Sequence, residues 1–186
     1  MIIKTLRRAV ALTGAVLATT LGGVFLLPGT AQAAPLCSTH AIVSHANTAA
    51  PRVVTVETTW AGADFAKLRA RKTSVGTNEK FQLCWYTTEG YYTLKALANS
   101  RYVTAETGYS GDWNGVLRAS STTVGTKQKF RITGGSGGSS EYSKMESVAN
   151  GRYVSCEATW SGSIQGILRA RNESAGTYER FQFPSA

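Results

Sequence analysis

Glu57, Glu106 and Glu157 recur down the chain, each followed at one fixed interval by an arginine: Arg69, Arg118 and Arg169. A carboxylate within reach of a guanidinium is material for acid–base chemistry, and glycoside hydrolysis in particular needs two carboxyls facing one cleft. Repetition argues against that use, because a single active site does not need three copies. Side-chain alternation puts all six off the inward face of consecutive strands. There they read as a repeated cross-strand ion pair, each worth roughly a few tenths of a kcal/mol. The unrepeated acids Asp64, Glu89, Asp112, Glu141, Glu146 and Glu173 are scattered over loops and strand starts. His40 and His45 are the only imidazoles, and no G-x-S-x-G nucleophile elbow accompanies them. The chain therefore reads as a protein that is not an enzyme, and nothing in it calls for a cofactor or a metal.

Binding chemistry is better represented. Aromatic rings stack on the apolar faces of sugars or anchor protein partners. Trp60, Tyr109 and Trp160 stand at equivalent places, two residues before Gly62, Gly111 and Gly162. A ring present in every copy can bind a ligand or simply cover the end of a barrel. Trp113 differs, because its equivalents are Asp64 and Ile164, so the fold does not demand an indole there. It lies in Gly111-Asp112-Trp113-Asn114-Gly115, between a carboxylate and an amide able to bond sugar hydroxyls. Loop packing is the competing reading of Trp113. The expected ligand-binding set is Asp112, Trp113, Asn114, Tyr109, Trp60 and Trp160.

These residues are positioned by three copies of one unit, over residues 42–86, 92–134 and 143–186. Arg52, Arg101 and Arg152 align, as do Leu68, Leu117 and Leu168, and Phe81, Phe130 and Phe181, without a slip in register. Each copy reads as four short strands. In the third copy, residues 144–149 and 152–158 flank Asn150-Gly151, a dipeptide that favours a type I′ hairpin turn, and residues 167–171 and 180–183 supply the other two strands. Period-two alternation turns Val54, Val56, Val103, Ala105, Val154 and Cys156 inward, together with the aligned leucines and phenylalanines. Leu83, Ile132 and Phe183 share that parity.

Three units of four strands predict an all-β fold, a β-trefoil with pseudo-three-fold symmetry, in which six strands close a barrel and six form hairpins capping one end. A β-propeller is the alternative, but propellers typically use four or more blades. In a trefoil barrel the first and fourth strands of the first unit are neighbours. Cys37 precedes the first and Cys84 ends the fourth, which predicts a Cys37–Cys84 disulfide. Cys156, aligned with Val56 and Ala105, is expected as a buried free thiol. No pair of cysteines has C-x-x-C spacing, so zinc and thioredoxin-type sites receive no support.

The pattern A-N-G-R-Y-V-x-x-E, then L-R-A-R, then G-T-x-x-R/K-F resembles the fascin-like β-trefoil family over residues 42–183. The resemblance implies the fold, and it implies a non-catalytic module of the kind found in secreted proteins, some beside glycoside hydrolases. Fascin itself bundles actin with several trefoils in tandem. Trefoils broadly resemble lectin scaffolds, which points toward a carbohydrate ligand. The first unit departs from the pattern: Thr48, Ala49, Ala50 and Pro51 stand where the other units have only Ser100 or Gly151, and His45 replaces Leu97 and Val148.

The first 33 residues read as a signal peptide. Lys4, Arg7 and Arg8 precede an apolar run over residues 9–27, followed by Pro28 and the Ala31-Gln32-Ala33 cleavage site. Residues 1–33 hold three of the 20 Lys and Arg and none of the 11 acids, so cleavage lowers the formal charge from +9 to +6. The excess charge of an exported, mildly basic domain over residues 34–186 suits anionic cell-wall polymers, acidic polysaccharides or simple solubility alike, and gives no reason to expect nucleic acid or stable membrane insertion; with the lectin-like scaffold, the expected ligand is an extracellular or cell-wall carbohydrate. A monomer is expected. Protein-binding alternatives are a hydrolase inhibitor, whose reactive loop would be residues 47–52, and a cytoskeleton-binding module. The Gly-Ser stretch over residues 134–140 falls between the second and third units and reads as a surface loop.

Overall fold

The computed structural model describes residues 33–47, 50–135 and 141–186. Residues 1–32 of the expected signal peptide, Thr48 and Ala49 of the long first loop, and residues 136–140 of the Gly-Ser stretch lie outside the described residues. Among the described residues there is no α-helix, and no helix is long and apolar enough to cross a membrane.

Extending back beyond the expected start at residue 42, the first unit holds β1 (Leu36–His40), β2 (Val43–Ser44), β3 (Arg52–Val56), β4 (Leu68–Lys72) and β5 (Phe81–Tyr86). The second holds β6 (Tyr91–Ala96), β7 (Arg101–Glu106), β8 (Val116–Ser121) and β9 (Phe130–Gly134), and the third β10 (Ser143–Ser147), β11 (Arg152–Cys156), β12 (Leu168–Asn172) and β13 (Phe181–Gln182). All pairings are antiparallel. The first strand of a unit pairs with the last strand of its own unit and with the last of the unit before it: β6 with β9 and β5, β10 with β13 and β9. In the first unit the task is divided, β1 pairing with β5 and β2 with β13. These seven strands close on themselves, which leaves no long unpaired edge in the barrel. The hairpins β3–β4, β7–β8 and β11–β12 continue from that ring through the short pairings β2–β3, β6–β7 and β10–β11, and are joined to one another by the bridges Arg169↔Val116, Lys67↔Arg118 and Arg69↔Ile167. Such connections fit a β-trefoil.

The core follows the predicted parity. Leu68, Leu117 and Leu168 are fully buried with Phe81, Phe130 and Phe181, and Val54, Val56, Val103, Ala105, Val154 and Cys156 join the same cluster. Leu83, Ile132 and Phe183 lie one pleat further toward the strand ends and are only partly buried. His45 tolerates the place of a Leu or Val because its Nε2 bonds Gln182 Oε1 at 2.8 Å and its ring packs 4.8 Å from that of Tyr142.

The turn at Asn150-Gly151 is not the expected two-residue type I′. The β10–β11 pairing ends at Ser147↔Arg152, which leaves a four-residue loop, and only Gly151 has positive φ, at 64°. A type I′ turn needs positive φ at both central residues. Instead, the Asn150 side chain accepts from Arg152 N–H and donates to Ala170 O at 2.9 Å, so its amide spans two hairpin strands. Asn99 makes the same two bonds to Arg101 and Ala119.

Cys37 lies inside β1, directly opposite Cys84 on β5, and the two form a disulfide. Cys156 is a buried free cysteine, and burial pushes its thiol from the ordinary 9.0 up to about 11. The folded chain favours the protonated form, so this contribution to stability is complete below pH 9 and is lost as pH rises through about 11. A thiol reagent at pH 8 is expected to label no cysteine in the native protein and one per chain in denaturant. Rapid native labelling, or a bridge from Cys156 to another cysteine, would contradict the core assignment.

Candidate functional site

The repeated arginines organise the capped end of the barrel before any ligand is considered. Arg118 donates through Nη1 and Nη2 to Phe65 O and Ala63 O, at 2.5 and 2.6 Å. Arg169 reaches through Nε and Nη2 to Asn114 O and Gly111 O, at 3.2 and 3.1 Å, and Arg69 through the same two nitrogens to Gln165 O and Gly162 O, at 2.5 and 2.9 Å. Each unit's arginine thus ties down the polar loop of the preceding unit, the first unit clamping the third. Gly115 and Gly166 sit at the same seam with positive φ, where an added Cβ would approach Ala170 O to 2.4 Å and Ala70 O to 2.5 Å.

This clamp corrects the expected ion pairing. Glu57 is bonded by Arg71, at 2.5 and 2.9 Å, and Glu157 by Arg171, at 2.5 and 3.0 Å; Glu106 takes the predicted partner, Arg118, at 3.0 Å, and Glu157 keeps its predicted partner Arg169 only as a longer ion pair, at 3.6 Å. The hydrogen bonds of Arg69 and Arg169 go to loop carbonyls. In the second unit Ser120 replaces the second arginine of the L-R-A-R motif, so Arg118 serves both the carboxylate and the clamp. Glu57 and Glu157 are also only 2% exposed, so these are not surface pairs.

Against the clamp of the second unit lies an open cleft of about 430 Å³, lined by Gly62, Ala63 and Phe65 from the first unit and Glu106, Tyr109, Trp113, Val116 and Arg118 from the second. Three of its rings are exposed: Phe65 and Trp113 at 44% each and Tyr109 at 59%. Phe65, like Trp113, is unrepeated, its equivalents being Asn114 and Gln165. Sequence reasoning missed Phe65, although the same comparison across units that singled out Trp113 would have found it.

Trp113 also packs. The ammonium of Lys67 lies 3.6 Å from the centroid of its ring and is paired with Asp64. Lys67 is fully buried at a position where the other units have Val116 and Ile167. A buried ammonium needs a counter-charge and a polarisable cover, and Asp64 and the indole supply them. Trp113 thus covers Lys67 while its ring also borders the cleft.

The remaining candidates are placed elsewhere. Asp112 is exposed and turned toward the third unit, 3.9 Å from Arg169 Nη1, and Asn114 lines a separate polar cleft with Arg152, Arg169 and Arg171. Trp60 and Trp160 are half-buried, with the guanidiniums of Arg69 and Arg169 5.2 and 5.1 Å from their ring centroids. They cover the clamp arginines, while Tyr109 lines the cleft. His40 bonds Phe183 O and Ser38 Oγ, at 2.8 and 2.7 Å, in a structural role at the barrel seam. Among the described residues no group of three His, Cys, Asp or Glu side chains converges as a metal would require.

No protein-family model matches the chain, and no curated protein matches it in sequence. Its fold does match solved structures. The designed three-fold symmetric protein ThreeFoil aligns with a TM-score of 0.62 at 20% identity, over 80% of this chain and 99% of that one. The Macrolepiota procera ricin B-like lectin, solved with lactose, aligns with a TM-score of 0.58 at 14% identity, over 80% of this chain and 96% of that one. An exo-β-1,3-galactanase from Clostridium thermocellum gives 0.62 at 17% identity, over 86% of this chain but only 31% of the enzyme. At these identities the likeness is one of fold, and the chain shares the all-β, β-trefoil architecture of these proteins.

Proposed function

We propose that the chain is a secreted, monomeric, non-catalytic β-trefoil of fascin-like type and pseudo-three-fold symmetry that binds an extracellular or cell-wall polysaccharide. The observation that carries this reading is the convergence of Phe65, Tyr109 and Trp113 on one open cleft, two of them being rings that the repeat does not require. A pyranose presents an apolar face to such rings and its hydroxyls to Glu106 and Arg118 at the wall. Net gain per contact with water exchange is small, so affinity for one sugar unit is weak and a polymer gains through repeated contact. A lectin and part of a galactanase are among the folds it resembles, which is consistent with a sugar-binding module. Asp112, Asn114, Trp60 and Trp160 border neighbouring surface and extend the contact to a longer chain.

The test is retention on insoluble polysaccharides by the parent and by Phe65→Gln, which installs the third unit's own residue and so leaves the fold intact. Loss of one stacked ring is expected to weaken retention roughly tenfold, about 1.4 kcal/mol, at an unchanged melting temperature. Trp113→Phe keeps a ring over Lys67 and should weaken retention less. Equal retention by parent and a folded Phe65→Gln would move the site elsewhere, and absence of retention by the parent would remove the carbohydrate reading.

A further inference from the structure

We infer that two arginine-lined clefts at the unit junctions, separate from the aromatic cleft, bind the sulfate or carboxylate groups of an acidic polysaccharide. One, of about 250 Å³, is lined by Arg52, Arg69 and Arg71 of the first unit with Gln165 of the third. The other, of about 420 Å³, is lined by Arg152, Arg169 and Arg171 of the third unit with Asn114 of the second. These residues are equivalent one for one. The second unit has Arg101 and Arg118 but Ser120 in place of the third arginine.

Each cleft gathers more guanidinium than its buried carboxylate neutralises. In the first, Glu57 pairs with Arg71 through Nε and Nη2, which leaves Nη1 without a partner among the described residues, and Arg52 has no carboxylate partner there, bonding only Pro51 O. Arg69 feels the crowding: burial lowers its pKa most, Glu57 raises it, and Arg71 lowers it again. The third-unit cleft is the better compensated, since exposed Glu173 bridges Arg152 and Asp112 stands 3.9 Å from Arg169. The position of Glu173 is Thr73 in the first unit, so the first cleft keeps its excess of positive charge.

Guanidinium forks match the oxygen geometry of carboxylate and sulfate, and Arg69 and Arg169 are already held rigid by the loop carbonyls they clamp. Neither cleft is lined by an aromatic ring, so neither offers the stacking platform that single-stranded nucleic acid uses. Two matched sites on one domain favour a polymer that reaches both.

The experiment measures retention of the purified chain on immobilised heparin and on pectate, with neutral dextran as the blank, at low ionic strength, where charge contacts are least screened. The parent is expected to bind a charged matrix and not dextran. An Arg52→Ala, Arg152→Ala double variant, altering only rim residues, should bind at least roughly tenfold more weakly. Arg101→Ala, the same arginine in the unit without a third, should stay within about twofold. Ser120→Arg, which completes the third set, should strengthen retention. Heparin alone or pectate alone identifies sulfate or carboxylate as the group bound. Equal losses from Arg101→Ala and the double variant, preference for single-stranded DNA over both polysaccharides, or no retention of the parent would each overturn the inference.

Discussion

Glu157→Ala is expected to destabilise the folded chain by about 3–5 kcal/mol, far more than a surface ion pair would. Glu157 is 2% exposed and accepts two bonds from Arg171, while Arg169 Nη1 lies 3.6 Å away. Burial lowers the pKa of Arg169, and the negative charge of Glu157 opposes that effect. Without the carboxylate, Arg169 remains 6% exposed beside carbonyl oxygens, with only Asp112 at 3.9 Å as a counter-charge. Clamp and hairpin are then coupled: an arginine that seeks water releases Gly111 and Asn114, the loop that carries Trp113. Glu157→Gln, which keeps the shape and loses the charge, should lie between parent and alanine. Urea melts provide the check, and a loss below about 1 kcal/mol for Glu157→Ala would mean that the pair behaves as an exposed one.

Leu117→Ala should cost about 2–5 kcal/mol, through lost burial and the cavity left behind. Leu117 is fully buried, paired with Ala105 across β7–β8, and aligned with Leu68 and Leu168 in one cluster. The same truncation at Leu68 or Leu168 should cost a similar amount, because each faces the same core from its own hairpin. Ser120→Ala, at an exposed residue whose hydroxyl bonds Thr104 Oγ1 at 3.3 Å, should be almost silent. A harmless Leu117→Ala would be incompatible with the packing described.

Much of this architecture is legible in the sequence because repetition turns one chain into three aligned observations. Parity in strands of five or six residues suffices to mark Val154 and Cys156, Leu168 and Phe130 as inward, and the Cys37–Cys84 pairing follows once the first and last strands of a unit are neighbours. The turn at Asn150-Gly151 was not legible, since the dipeptide's preference for a type I′ turn yields to the Asn150 side chain, which bonds Ala170 O across the hairpin. The buried pairing was not legible either. Glu57 lies off the inward parity, but Arg71 bonds it and the Gly76–Glu79 turn packs against its strand, and parity within one strand says nothing about cover from another element. The repeated Glu79, Gln128 and Glu179 escaped notice for a similar reason: each returns its side chain to the N–H of Gly76, Gly125 or Gly176, a local closure with no periodic signature. At the candidate site, comparing units picks out Trp113, and it equally exposes Phe65 and Lys67 as residues the repeat does not require. Which of them meet across a unit junction depends on the arginine clamp, and the clamp's acceptors are backbone carbonyls with no side-chain signature.

The claim at the centre of this account is that the aromatic cleft binds sugar, and a glycan array probed with labelled parent and Phe65→Gln tests it most directly. The parent is expected to mark a group of related glycans, with the polymer or multivalent forms brightest, and Phe65→Gln to lose those same signals by roughly tenfold while its melting temperature holds. A parent that marks no glycan, or a folded Phe65→Gln that reproduces the parent's pattern at full strength, would contradict it.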